Sequence, residues 1–97
     1  MHLLVYEYVD GMLERRGPHR EAHLAHVERW SSDGPLAMAG ATGDPPAGAL
    51  FVFETVDAAE VEAFTEADPY RAAELIMATR IEPWTLVVSR DLGAPLD

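Results

Sequence analysis

Residues 36–55, LAMAGATGDPPAGALFVFET, decide how this chain folds. The run from 47 to 55 (AGALFVFET) is the strongest strand signal in the sequence, with Phe, Val and Leu in succession. Residues 36–42 (LAMAGAT) read as a second, shorter strand of small and apolar residues. Gly43-Asp44-Pro45-Pro46 lies between them and reads as a turn, because proline has no N–H to give to a sheet ladder. Two strands this close together predict a hairpin.

The flanking sequence completes the fold class. Residues 2–9 (HLLVYEYV) predict a first strand, and Asp10-Gly11 a turn after it. The charged segment 10–17 reads as a mobile connection or a helix lead-in. Pro18 suits the first turn of a helix running from about 18 to 33, which Gly34-Pro35 should stop. Asp57 starts another helix, with Glu60 at capping-box spacing. Val61 and Phe64 mark its buried side. Asp68-Pro69 interrupts that helix. A third helix is expected over 70–77 and a last strand over 80–89, with 91–97 a loose tail. The order β–α–β–β–α–(α)–β is the split βαβ, ferredoxin-like arrangement of the α+β class: an antiparallel sheet with helices on one face. Residues 1–90 then form a single domain. Because strand side chains alternate, Phe51, Val52 and Phe53 cannot all face the helices. The other sheet face needs cover, and a homodimer is the expected solution.

Composition narrows the function classes. The chain has 97 residues, 48% hydrophobic and 25% charged, which suits one globular domain. Its net charge of −10 disfavours nucleic-acid phosphates and anionic membrane surfaces as partners. Every basic residue is arginine, so Schiff-base chemistry on a side-chain amine is excluded. The absence of cysteine excludes disulfides and thiolate chemistry, and is compatible with a reducing cytoplasm. The N-terminus lacks a basic region, and its apolar run is too short for a signal peptide or a membrane span. A cytoplasmic protein is expected.

Three of the four histidines share the first long helix with a tryptophan: His19, His23, His26 and Trp30. With His19 set at zero, His23 falls at about 40°, His26 at about −20° and Trp30 at about 20°, while Val27 lies at about 80° and Leu24 at about 140°. Leu24, Val27 and Trp30 define the expected apolar arc. His23 lies inside it, and His19 and His26 lie at its edge towards solvent. A metal site on His19 and His23 would need further ligands and support around them, so none is expected. His23 is either a core histidine bonded to a backbone carbonyl or an acid–base group, and the second role needs an orienting carboxylate. Asp68 is the candidate. It reads as an N-cap, yet a carboxylate has two oxygens and can cap with one while facing an imidazole with the other. Spacing alone does not say whether it reaches His23. Arg16 and Arg20 flank the His23 side of the helix, either as surface ion pairs with Glu14 or Glu21 or as holders of an anionic or phenolate-like ligand.

Four short motifs occur in order. Arg20-Glu21-Ala22-His23-Leu24-Ala25 resembles the R-x-x-H-L helix of the YciI-like, or YCII-related, domain. Ala39-Gly40-Ala41 resembles its A-G-P strand, with Ala41 where many members have proline. Asp68-Pro69-Tyr70 resembles its D-P-[FY] turn, and Ile81-Glu82-Pro83-Trp84 its closing strand. The resemblance spans about residues 1–90. It implies a ferredoxin-like fold that dimerises as an α+β barrel, and a pocket whose His–Asp pair maps onto His23 and Asp68. Enzymes of the lyase or dehydrochlorinase type occur in that family. The combined expectation is a small homodimeric enzyme that acts on a small organic molecule without a cofactor. His23 would be the acid–base, Asp68 its partner, and Arg20 and Arg16 would sit near a negative group. Trp30, Phe51 or Phe53, and Tyr70 would form the pocket wall. A non-catalytic small-molecule binder or an accessory interaction module is the alternative.

Overall fold

The computed structural model describes residues 1–90; the expected tail at 91–97 lies outside the described residues. The elements are β1 (His2–Tyr8), α1 (Met12–Arg15), α2 (Gly17–Ser32), β2 (Leu36–Thr42), β3 (Gly48–Phe53), α3 (Ala58–Glu66), α4 (Pro69–Ala72) and β4 (Ile76–Pro83). The four strands form one antiparallel sheet in the order β2-β3-β1-β4. This is the expected split βαβ arrangement. Leu4 and Tyr6 from β1, with Ala49, Phe51 and Phe53 from β3, meet Leu36, Val61 and Phe64 in the main core. Among the described residues, no helix is long and apolar enough to cross a membrane.

Three expectations are corrected. The first concerns the end of the chain. The third helix stops at Ala72 instead of 77, and Glu74 then takes a left-handed conformation at φ 59°. That reversal sends Ile76 and Met77 into β4 rather than into a helix. β4 pairs with the full length of β1, from Tyr8↔Ile76 to His2↔Pro83. The strand is therefore Ile76–Pro83, earlier than the expected 80–89, and it ends at a residue with no N–H to continue the ladder.

The second correction narrows the reading of segment 10–17, a mobile connection or a helix lead-in, to the second of the two. Gly11 at φ 75° turns the chain into α1, and Met12 is buried against Tyr70 and Leu75.

The third concerns the face of α2. His23 and His26 are both buried, Val27, Trp30 and His19 are half-buried, and Leu24 is 47% exposed. The helix thus turns its imidazole stripe to the sheet, with Leu24 at the margin. His26 is no solvent-edge bystander: it is 2% exposed, and its Nε2–H donates to the Phe64 carbonyl of α3 at 2.8 Å. Hydropathy underrates an imidazole whose polar atoms find partners inside the fold.

The capping box on α3 is completed by a third residue. Asp57 accepts from Ala59 N–H as expected, while Thr55 Oγ accepts from Asp57 N–H and donates to Glu60.

The start of β3 lies so close to β1 that no side chain fits. A Cβ at Gly48 would run into the Tyr6 carbonyl and come within 3.0 Å of Thr42 Oγ. Gly48→Ala is expected to destabilise the fold by about 1–3 kcal/mol, read from urea denaturation. An unchanged midpoint would contradict this tight approach.

Candidate active site

Asp68 occupies the joint between α3 and α4. The following proline keeps it extended, at φ −70° and ψ 124°, which ends one helix and caps the next. Its Oδ1 accepts from the Tyr70 N–H at 2.9 Å, the N-cap bond that the Asp-Pro pair predicts. The side chain points inward and is 1% exposed.

Two further donors converge on the same carboxylate. His23 Nδ1 lies 2.8 Å from Oδ1, and the Tyr6 hydroxyl donates to Oδ2 at 2.8 Å. A buried carboxylate is tolerable only when its oxygens are satisfied, and this one accepts three hydrogen bonds. Such a set assigns the proton of a neutral His23 to Nδ1. Nε2 then carries the lone pair. It has no partner among the described residues, but it is not sealed off either, since His23 lines an open cleft. Tyr70 fixes the plane of the imidazole: the two rings stack at 3.8 Å between centroids with 6° between planes.

The cleft measures about 170 Å³. A cavity of roughly 150 Å³ holds a benzene molecule, so this one admits a single substituted ring. Its walls are Tyr8, Tyr70 and Phe51, the helix residues Leu24 and Val27, and the small residues Ala39, Gly40, Ala41 and Ala49. Arg16 and Arg20 also line it, and neither forms an ion pair among the described residues. The expected surface pairs with Glu14 and Glu21 are therefore not made, and two cations face the cleft without a counter-charge.

Both phenols near Asp68 hold their protons tightly. Burial and the adjacent Asp68 carboxylate push the Tyr6 hydroxyl well above its usual range. Burial, reinforced by Tyr70 and Asp68 and opposed by Arg16 and Arg20, pushes Tyr8 up to about 12. At neutral pH Tyr8 is a hydrogen-bond donor at the cleft.

A model of the YCII-related domain matches residues 1–85. The chain belongs to this family. A similar solved structure is the 5-chloro-2-hydroxyhydroquinone dehydrochlorinase TftG from Burkholderia phenoliruptrix AC1100, in complex with 2,5-dihydroxybenzoquinone. It is 30% identical to this chain, with a TM-score of 0.71, and the match covers 87% of this chain and 93% of that one. No curated protein matches the chain in sequence.

Within this YCII-related domain the structure brings together most of the residues singled out from sequence. His23 and Asp68 meet directly, and Arg16, Arg20, Tyr70 and Phe51 line one cleft. Trp30 and Phe53 do not join them. Trp30 sits a helical turn beyond His26 and packs edge-on against Phe53 and Phe64, so both belong to the core away from the cleft. Among the described residues, no three His, Asp or Glu side chains gather as a metal site would need. Tyr6 and Tyr8 also belong to the site, and no motif in the sequence marks them. Strand alternation carries their signal, because Leu4, Tyr6 and Tyr8 share the helix-facing side of β1. A tyrosine on such a face needs an acceptor for its hydroxyl.

Asp68→Ala leaves three buried donors without an acceptor. A loss of about 3–5 kcal/mol is expected from thermal or urea unfolding, with a smaller loss for Asp68→Asn, which keeps an acceptor oxygen. Near-neutral effects from both would show that the network does not hold the joint.

Proposed function

We propose that this protein is a cofactor-independent proton-transfer enzyme acting on a single hydroxylated six-membered ring, with elimination of HCl as the reaction class. The observation that carries the reading is His23. It is held through Nδ1 by a buried carboxylate, with Nε2 open to a ring-sized cleft flanked by two unpaired arginines. The dihydroxybenzoquinone complex of TftG supports the ligand class.

His23 Nε2 is the acid–base, and Asp68 positions it and balances its charge when it is protonated. Arg16 and Arg20 hold the ring oxygen that becomes negative, and Tyr8 donates a hydrogen bond beside them. Phe51 packs against the ring, and Tyr70 closes the wall behind His23. On a chlorinated trihydroxybenzene, Nε2 takes a proton from a ring hydroxyl. A proton is delivered to the chlorinated carbon, giving a keto tautomer. Loss of a second hydroxyl proton then forms a new carbonyl and a new C=C bond as the C–Cl bond breaks and chloride leaves. The products are a hydroxyquinone, chloride and a proton. No electron acceptor is needed, because the two electrons lost from the ring system leave with chloride.

Positioned proton transfer contributes about 10²–10⁴-fold in rate. Under anaerobic conditions, chloride release from 5-chloro-2-hydroxyhydroquinone is expected to be enzyme-dependent. It should fall by about that factor in His23→Ala, while affinity for 2,5-dihydroxybenzoquinone changes by less than about tenfold. Binding without chloride release by the wild type would assign the cleft to a non-catalytic binder. Full activity in His23→Ala would remove His23 from the chemistry.

The proposed enzyme is a homodimer. On the sheet face away from the helices, Leu3, Val5 and Val52 adjoin Met38 and Leu50, which are 47% and 38% exposed. Sedimentation equilibrium at micromolar concentration is expected to give twice the chain mass, and Met38→Asp with Leu50→Asp the single mass. A monomeric wild type contradicts the dimer.

A further inference from the structure

Tyr70 is 1% exposed, yet its hydroxyl bonds to nothing: among the described residues it is the buried side-chain polar atom left without a partner. Its ring is fully employed. One face lies on the His23 imidazole, Tyr8 stands edge-on at 6.0 Å and 88°, and Met12 and Leu75 complete the surrounding cluster. A phenylalanine would keep each of these ring contacts and bury no unpaired oxygen. The hydroxyl therefore weakens the empty protein, since a buried polar group without a partner loses its bonds to water and gains none.

The stack places this hydroxyl beside the acid–base group. His23 Nδ1 and the Tyr70 backbone N–H both bond Asp68 Oδ1, at 2.8 and 2.9 Å. From that shared anchor the imidazole and the phenol lie parallel, one on the other, and both residues line the cleft. We propose that the Tyr70 hydroxyl is a specificity-determining contact, unpaired in the empty protein and hydrogen-bonded to a second oxygen of the ring held by His23. The proposal rests on the ring-ligand reading above. It selects rings with at least two oxygen substituents over singly hydroxylated ones. Because the hydroxyl is sealed, a wall side chain gives way as the ring enters. Arg16, half-buried, and Arg20, exposed, have the freedom to do so.

Tyr70→Phe separates this role from a structural one, because the two observables move in opposite directions. Without ligand, the variant is expected to melt about 4 °C or more above the wild type, as the unpaired oxygen is gone. By titration calorimetry it is expected to bind 2,5-dihydroxybenzoquinone about tenfold or more weakly. A melting temperature unchanged or lowered means that the hydroxyl already has a partner, and overturns the proposal. A raised melting temperature with affinity within about threefold of wild type also overturns it, and leaves the acid–base reading standing. If the wild type itself does not bind 2,5-dihydroxybenzoquinone, the ring-ligand reading fails and this contact fails with it.

Discussion

The structure depends on one buried carboxylate accepting three hydrogen bonds. Asp68 takes a phenol from β1, an imidazole from α2 and a backbone N–H from α4, and so ties a central strand to two helices that lie far apart in sequence. Each donor would be costly to bury alone, and so would the carboxylate. Together they satisfy one another, and removing any member leaves the rest exposed to the penalty. The Asp-Pro joint makes this possible, because proline keeps Asp68 out of the helical conformation and aims its side chain into the interior.

The same interaction prepares a chemical group. A hydrogen bond to Nδ1 selects the tautomer in which Nε2 has the free lone pair, and the Tyr70 stack fixes the direction in which it points. The surroundings follow from small residues and from charge. Ala39, Gly40, Ala41 and Ala49 leave room on the sheet for a ring, and two arginines bring positive charge into a chain of net charge −10. Binding and stability pull against each other here, since the unpaired Tyr70 hydroxyl and the uncompensated arginines are features that a fold selected for stability alone would lack.

Much of the fold was legible because it rests on local signals. The hairpin at 36–55, the Pro18 helix start, the Asp57 cap and the Asp68-Pro69 break all act within a few residues, and the element order gave the sheet topology. What could not be read was set by distant partners. The run YRAAELIM looks helical, but pairing along β1 takes Ile76 and Met77 into a strand, and the left-handed turn at Glu74 has no glycine to announce it. Hydropathy mis-centres the face of α2, because His26 counts as polar until the Phe64 carbonyl lies opposite it. Two of the four motifs carry His23 and Asp68, 45 residues apart, but only the folded chain supplies the 2.8 Å between them. Trp30 followed the helix stripe in sequence and left the cleft in space, because the stripe outlasts the cleft by a turn.

The central claim is that Asp68 holds His23 in the Nδ1–H form with Nε2 free for proton transfer. Long-range ¹H–¹⁵N correlation spectra of the imidazole, recorded where His23 is neutral, test it most directly. The expected result is a protonated Nδ1 and an unprotonated Nε2 in the wild type, with the two tautomers mixed in Asp68→Ala. A predominant Nε2–H tautomer in the wild type, or a tautomer ratio indifferent to Asp68, would contradict the account.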